Sequence, residues 1–200
     1  MGRPLSGRVL PFRRPEGRTE ELSDEALVGA CAQADSAALG ALFERHHKRV
    51  YAFLCRVSLT RGADAEDLLQ DTFAAAWRAA PRYEGNAPAL SWLFGIAANV
   101  ARNHARSKRR GARAMSVLID QPEFPSERSD DVVARREAMK KVEAALAELP
   151  HDHRVAFVMC ELEGVAGTDA AKTLGVRPGT VWRWLHMARK ALREVLEESR

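Results

Sequence analysis

The sequence predicts an all-α fold of two small helical domains joined by a flexible linker. Ala, Leu, Arg and Glu are abundant among its 200 residues, and most of these residue types favour helices. Strand signals are scarce, because the chain has only two Tyr and seven Phe and few alternating apolar patterns. Residues 111–135 lack clear helical periodicity, contain Pro and are acidic, which is typical of a linker between two helical halves.

Charge and cysteine usage narrow the class of protein. Although 31 Lys and Arg nearly balance 27 Asp and Glu, basic residues concentrate at 102–113 and 177–193, and acidic residues at 64–71 and 120–131. This asymmetry indicates a polyanion partner for some faces and a different partner for others. The three Cys are widely spaced and form no CxxC pair, which argues against a zinc site or a disulfide framework.

No part of the sequence indicates a membrane or secreted protein. No apolar run is long enough to span a bilayer, and the N-terminus lacks the apolar core of a secretory signal. We therefore expect a cytoplasmic protein without membrane insertion, metal or cofactor.

Capping and turn residues divide the first half into helices. Residues 1–22 are predicted to be a disordered basic tail, and Ser23 and Asp35 are typical N-caps of two successive helices. The sequence TRG at 60–62 ends the second of these helices, and Asp64 begins a third.

The third helix, DAEDLLQDTFAAAWRAA, has one apolar face and exposes Glu66, Asp67, Gln70 and Asp71 on another. An acidic first turn suits the helix dipole, so helix capping alone also explains the carboxylates. The next segment, PRYEGNAP at 81–88, contains turn residues and predicts a loop. A long helix at 89–110 follows and ends in a basic run.

The second half predicts a helix-turn-helix. One helix begins at Asp152, Thr168 and Asp169 cap a very short second helix, and Gly175 makes a tight turn. Pro178 then suits the first position of a longer helix, since its missing N–H needs no partner there.

This final helix is amphipathic with a basic outer face. Its apolar stripe is Val181, Leu185, Ala188 and Leu192, and the opposite side carries Gly179, Arg183, His186 and Lys190. A solvated surface helix and a helix inserted into a DNA groove both have this pattern, so the stretch alone does not decide between them.

Together the two halves resemble a bacterial extracytoplasmic-function sigma factor of the sigma-70 family. The most specific segment is DAEDLLQDTFAAAWRA at 64–79, which is similar to the family pattern D-A-E-D-L-x-Q-D/E-T-F-x-x-x-W. The resemblance implies a helical region two at 23–110 and a helix-turn-helix region four at 136–200, although the family's P-x-G-T-V pattern is shifted at Pro178.

The resemblance also implies partners. Region two of the family binds the clamp helices of core RNA polymerase and reads the minus-ten promoter element, and region four binds the polymerase flap and reads the minus-thirty-five element. An anti-sigma factor is a further implied partner. By family position, the polymerase-binding residues are Asp67, Gln70 and Asp71.

Two sets of DNA-binding residues follow from the same resemblance. The set for the minus-ten element is Tyr83, Asn86, Ser91, Trp92, Asn99, Val100, Arg102 and Arg106. The set for the upstream element is Arg177, Thr180, Trp182, Arg183, His186, Met187 and Lys190. Trp182, Trp184 and Met187 depart from the family, which commonly carries Lys or Arg at these positions.

Three alternatives remain open beside a sigma factor. The first is a helix-turn-helix regulator without polymerase, which the acidic third helix disfavours. The second is a degenerate sigma-like adaptor that binds polymerase or an anti-sigma protein without directing initiation. The third is a metal enzyme built on His151, Asp152 and His153 with Cys160, although these residues more simply cap a helix. We expect a sigma factor that is not an enzyme.

Overall fold

The protein, seen in a computed structural model, consists of helices joined by short loops in the ranges that the structure describes, residues 21–112, 142 and 144–198. These ranges contain no strand, so the predicted all-α class is confirmed. The helices are α1 (Asp24–Ala32), α2 (Ser36–Ser58), α3 (Ala63–Ala79), α4 (Ala89–Ala112), α5 (His151–Phe157), α6 (Gly167–Leu174) and α7 (Pro178–Glu198). Residues 144–148 are also helical.

The first four helices form a bundle in which α2 contacts α1, α3 and α4. Phe53 of α2 stacks on Phe94 of α4, with ring centroids 4.7 Å apart. Phe43 meets Phe73 of α3 edge-to-face at 5.0 Å. These aromatic contacts fix three helices against one another.

The predicted N-caps of α1 and α2 are confirmed. Ser23 Oγ accepts a hydrogen bond from the backbone N–H of Ala26 at 3.2 Å. Asp35 Oδ1 accepts one from the N–H of Ala37 at 2.9 Å. Each side chain thus satisfies an N–H that has no partner within the helix.

The predicted break after α2 is also confirmed, with small shifts. Leu59 has a φ of 59°, in the left-handed region, and ends α2. Gly62 has a φ of 57°, and α3 begins at Ala63, one residue before the predicted Asp64.

The predicted cap of the short helix α6 is wrong. Helix α6 begins at Gly167 after Ala166, and no side chain caps it. The N–H of Asp169 donates to the carbonyl of Ala166 at 2.9 Å, so the first turn has already formed before the predicted cap. Thr168 and Asp169 are therefore residues of the helix itself.

The helix predicted to begin at Asp152 is two elements. Helix α5 spans His151–Phe157 and continues as a π-helical turn, Val158–Leu162. The N–H of Glu163 closes this turn on the carbonyl of Val158 at 3.0 Å. Apolar periodicity does not distinguish such a widened turn from an α-helix, so the sequence did not reveal it.

The two halves pack directly against each other. Gly95 of α4 lies against Thr173 of α6, so closely that a Cβ at Gly95 would lie 3.1 Å from the carbonyl oxygen of Thr173. Glu163 accepts hydrogen bonds from Arg49 and Arg56 of α2, at 3.1 and 3.2 Å. One buried apolar core consequently runs through residues of both halves.

The predicted domain boundaries stay a prediction. Most of the predicted tail and linker, residues 1–20 and 113–135, lies outside the described residues, as do 136–141 of the predicted second domain. Across the helices that the structure describes, none combines the length and apolar character needed to cross a membrane.

Candidate nucleic-acid and polymerase interfaces

Helices α6 and α7 form the predicted helix-turn-helix. Gly175, with a φ of 66°, ends α6, and the N–H of Val176 donates to the carbonyl of Ala171 at 3.0 Å. The left-handed conformation suits Gly, which has no Cβ. Val181 and Leu185 of α7 are buried, so the apolar side of α7 faces the interior and its opposite side faces solvent.

Most of the predicted upstream-element residues lie on this outer side. Trp182 is 53% exposed and Met187 45%. Thr180 is half-buried near the start of the helix, and the remaining four residues are exposed: Arg177, Arg183, His186 and Lys190. The structure therefore exposes six of the seven predicted residues and leaves Thr180 half-buried.

The two tryptophans of α7 have different environments. The ring of Trp182 lies over Gly167 in the first turn of α6, where a Cβ would come within 3.0 Å of the ring. Trp184 is half-buried against the core, with its ring centroid 6.5 Å from that of His153. Of the two, Trp182 alone presents a largely exposed aromatic surface on the outer side of α7.

The predicted loop between α3 and α4 begins with a short 3₁₀ turn, Ala80–Arg82. The Tyr83 hydroxyl donates to the carbonyl of Ala87 at 2.7 Å and closes the loop. Burial, with the nearby Glu25 carboxylate, raises the pKa of Tyr83. The Tyr83 ring also lies 5.1 Å from that of Trp92, so two aromatic side chains line the base of the loop.

Asn86, at the tip of this loop, is exposed and donates to Glu84 Oε2 at 2.7 Å. A second acidic residue, Glu25 of α1, accepts from the backbone N–H of Ala89 at 3.3 Å and caps α4. The sequence predicted no functional-site role for Glu25 or Glu84. Because Glu25 is 64 residues from Ala89, no local pattern indicates this cap.

The predicted minus-ten residues on α4 have varied environments. Ser91 is buried, and Trp92 and Val100 are half-buried against the core. Asn99 and Arg106 are exposed. Among the predicted residues of α4, these two present side chains most openly to solvent.

The basic end of α4 is partly occupied by ion pairs. Arg102 pairs with Asp152 of α5 at 2.6 Å, which joins the two halves. Lys108 pairs with Asp64 of α3 at 2.6 Å, and this hydrogen bond and charge lower the pKa of the Asp64 carboxyl. Arg102 therefore already uses part of its guanidinium to bind a protein carboxylate.

The predicted polymerase-binding residues share the outer side of α3. Asp67, Gln70 and Asp71 are all exposed, while Leu68 and Phe73 are buried on the opposite side. The face is acidic and lies on a helix held in the bundle by its apolar side.

The residues of the metal-enzyme alternative each have a different environment. His151 Nε2 lies 3.3 Å from the carbonyl of Ala98, and burial followed by the charge of Arg102 lowers its pKa. Asp152 pairs with Arg102, and His153 lies near Trp184. Within the described ranges, no three His, Cys, Asp or Glu side chains are grouped so as to hold a metal ion.

Comparison with known families matches both halves. The family model of Sigma-70 region 2 matches residues 42–111, and that of Sigma-70 region 4 matches residues 139–192. The matched segments contain α3, the α3–α4 loop, α6 and the part of α7 up to Leu192.

Curated relatives extend the match over most of the chain. RNA polymerase sigma factor CarQ of Myxococcus xanthus is 37% identical over 158 residues, which are 78% of this chain and 88% of CarQ. ECF RNA polymerase sigma factor SigM of Mycobacterium tuberculosis is 33% identical over 180 residues, 90% of this chain and 88% of SigM.

Solved structures agree with this match. CnrH, in complex with the cytosolic domain of CnrY, has a TM-score of 0.64 and 26% identity, and the match covers 88% of this chain and 99% of CnrH. Sigma factor RpoE of Bartonella quintana, in complex with the anti-sigma factor NepR, has a TM-score of 0.62 and 28% identity, and the match covers 79% of this chain and 96% of RpoE. The chain belongs to the extracytoplasmic-function sigma factors of the sigma-70 family.

Proposed function

We propose that this sigma factor binds core RNA polymerase through α3, places α7 on upstream duplex DNA and uses the α3–α4 loop to hold an opened DNA strand. The observation that carries the proposal is the separation of two exposed faces of opposite charge, acidic on α3 and basic on α7. One chain thus offers one surface suited to a protein and another suited to DNA.

The acidic face of α3 fits a basic protein partner. Asp67 and Asp71 lie one helical turn apart and are exposed on the same side as Gln70. Such carboxylates repel DNA phosphates and attract Lys or Arg side chains, so they favour association with a protein surface. The clamp helices of core polymerase are the proposed partner.

The basic face of α7 fits the major groove. In a helix-turn-helix the second helix enters the groove, and its N-terminal residues read base edges. Arg183 is exposed in the second turn of α7, where its guanidinium can donate to a guanine edge. Arg177 and Lys190, near the start and middle of the helix, are suited to phosphates.

The loop between α3 and α4 fits an unpaired base. Strand opening becomes less costly when an unstacked base finds an aromatic surface and amide donors. Tyr83 and Trp92 provide neighbouring rings, and Asn86 provides an exposed amide. Basic residues further along α4, such as Arg106, supply sequence-independent contacts with phosphates.

We further propose that RNA synthesis belongs to the polymerase and that this chain carries no catalytic centre of its own. Regulation by an anti-sigma protein is part of the proposal, and the co-structures of CnrH with CnrY and of RpoE with NepR support it. The expected site of action is the cytoplasm, where polymerase and chromosome meet.

Run-off transcription on genomic fragments tests the proposal. Purified full-length chain, added to sigma-free core enzyme, is expected to give transcripts of defined length from a subset of fragments. Core enzyme alone is the control for non-specific initiation. Stable binding to core without any defined transcript, on any fragment, would instead identify the adaptor that is the second candidate.

A further inference from the structure

The outer side of α7 carries two large apolar side chains at the edges of its basic stripe. Trp182 is 53% exposed and Met187 is 45% exposed. At about 100° per residue these two positions are about 140° apart around the helix, with Arg183 between them. If this side of the helix enters a DNA groove, Arg183 faces the bases, and one apolar side chain lies on each side of it.

Trp182 is also held in place. Its ring lies on Gly167, in the first turn of α6, with so little space that a Cβ there would come within 3.0 Å of the ring. Contact with α6 restricts the ring, although Trp182 as a whole remains more than half exposed. A restricted side chain loses less conformational entropy when it binds a ligand.

The base edges that line the major groove are mostly polar. The edges of guanine, adenine and cytosine there present hydrogen-bond donors and acceptors, whereas thymine adds an apolar 5-methyl group. An indole ring or a thioether chain has little to gain from the polar edges, because burying an unpaired polar group costs free energy.

We infer that Trp182 and Met187 are specificity-determining residues that select thymine in the upstream element through its 5-methyl group. The inference rests on the proposed placement of α7 in the major groove. It assigns Arg183 to a hydrogen-bonded base and the two apolar side chains to thymines on either side of that base.

Replacing thymine by deoxyuridine tests the inference, since deoxyuridine lacks only the methyl group. Duplexes are first selected from a random upstream library by holoenzyme made from this chain and core polymerase. Each upstream thymine is then replaced singly, and holoenzyme affinity is measured. At one or two positions we expect a loss of about fourfold, the equivalent of one methyl group removed from contact.

Variants assign each effect to a residue. Trp182→Ala is expected to abolish the loss at one position, and Met187→Ala at a different one. Trp182→Phe is expected to retain part of the effect, because it keeps an apolar ring. Leu162→Ala is a matched control, since Leu162 is equally exposed, at 45%, but lies outside α7.

Two results would overturn the inference. One is that no single replacement of thymine by deoxyuridine lowers the affinity of wild-type holoenzyme. The other is that the replacements lower affinity equally for wild type, Trp182→Ala and Met187→Ala. Arg183→Ala separates this failure from failure of the proposed function. If Arg183→Ala still alters upstream selectivity, only the thymine assignment fails; if it does not, the placement of α7 fails as well.

Discussion

Arg183 is exposed on the outer side of α7, and its neighbours Val181 and Leu185 are buried beneath it. A bidentate contact between Arg and guanine contributes about 1–3 kcal/mol of discrimination against the wrong base. Arg183→Ala is therefore expected to relax sequence preference in the upstream element while leaving core binding intact. Selection of promoter variants by wild-type and variant holoenzyme measures this.

Arg193→Ala provides the matched control for that change. Arg193 is exposed on the same helix but lies ten residues, about 15 Å, further along its axis. If both variants lose sequence preference equally, the effect comes from the loss of positive charge in general. If Arg183→Ala keeps the sequence preference of wild type, Arg183 does not read the upstream element.

Cys31 and Cys160 are expected to be poorly reactive thiols. Burial raises the pKa of both Cys31 and Cys160 from 9.0 to about 11. Since the thiolate is the nucleophile, a shift of this size lowers the reactive fraction at pH 8 about a hundredfold. Iodoacetamide is thus expected to alkylate these residues slowly in native protein and rapidly in guanidinium.

Peptide mass spectrometry at successive times distinguishes the cysteines. Equal rates for Cys160 in native and unfolded protein would show that the π-helical turn around it is not packed as described.

At the scale of the element, α3 offers a test of partner choice. Replacing Asp67 and Asp71 by Asn removes two exposed negative charges and keeps the shape of the side chains. We expect weaker binding to core polymerase, most clearly at low salt, with thermal stability unchanged. A fluorescence competition assay with labelled wild-type chain measures the affinity.

Glu44→Gln is the control for this prediction. Glu44 is exposed on α2, so its carboxylate lies on a different helix from the acidic face that contains Asp67, Gln70 and Asp71. Unaltered core affinity in the double variant would remove this face from the polymerase interface.

Helix ends show what local sequence predicts and what it does not. Ser23 and Asp35 were predictable because an N-cap needs only an acceptor two or three residues before a free N–H. The start of α6 was mispredicted because Thr168 and Asp169 have capping side chains but already belong to the first turn. The π-helical turn at Val158–Leu162 was not predicted because apolar spacing does not distinguish one widened turn from an α-helix.

The same distinction holds for the candidate sites. Exposure of Asp67, Gln70 and Asp71 followed from helical periodicity, because Leu68 and Phe73 mark the buried side. The pairing of Arg102 with Asp152 could not be predicted from periodicity, since these residues lie 50 positions apart on different helices. Long-range contacts of this kind decide which basic residues are available to DNA.

At the scale of the whole molecule, the packing of the two halves depends on Gly95. Any side chain there meets Thr173, including its backbone carbonyl, across the contact between α4 and α6. Gly95→Ala is expected to displace Thr173 and weaken the packing of the halves, which lowers the melting temperature measured by circular dichroism. The helix content of α4 should persist, since the obstructing atoms all belong to α6.

Gly29→Ala is the control for this change, because a Cβ at Gly29 of α1 meets nothing within 4 Å. Both substitutions replace a helical Gly, so they share the same gain in helix propensity, and Gly29→Ala is expected not to lower the melting temperature. A Gly95→Ala protein that melts at the same temperature as Gly29→Ala would contradict the described contact between the halves.

The central claim is that one chain holds upstream duplex DNA while it captures an opened strand at the start site. Permanganate oxidation of unpaired thymines, combined with nuclease footprinting on one promoter fragment, tests this most directly. With core polymerase and this chain we predict upstream protection together with reactive thymines near the start site, and reduced reactivity in Tyr83→Ala. A fragment that is transcribed yet shows neither upstream protection nor reactive thymines dependent on this chain would contradict the account.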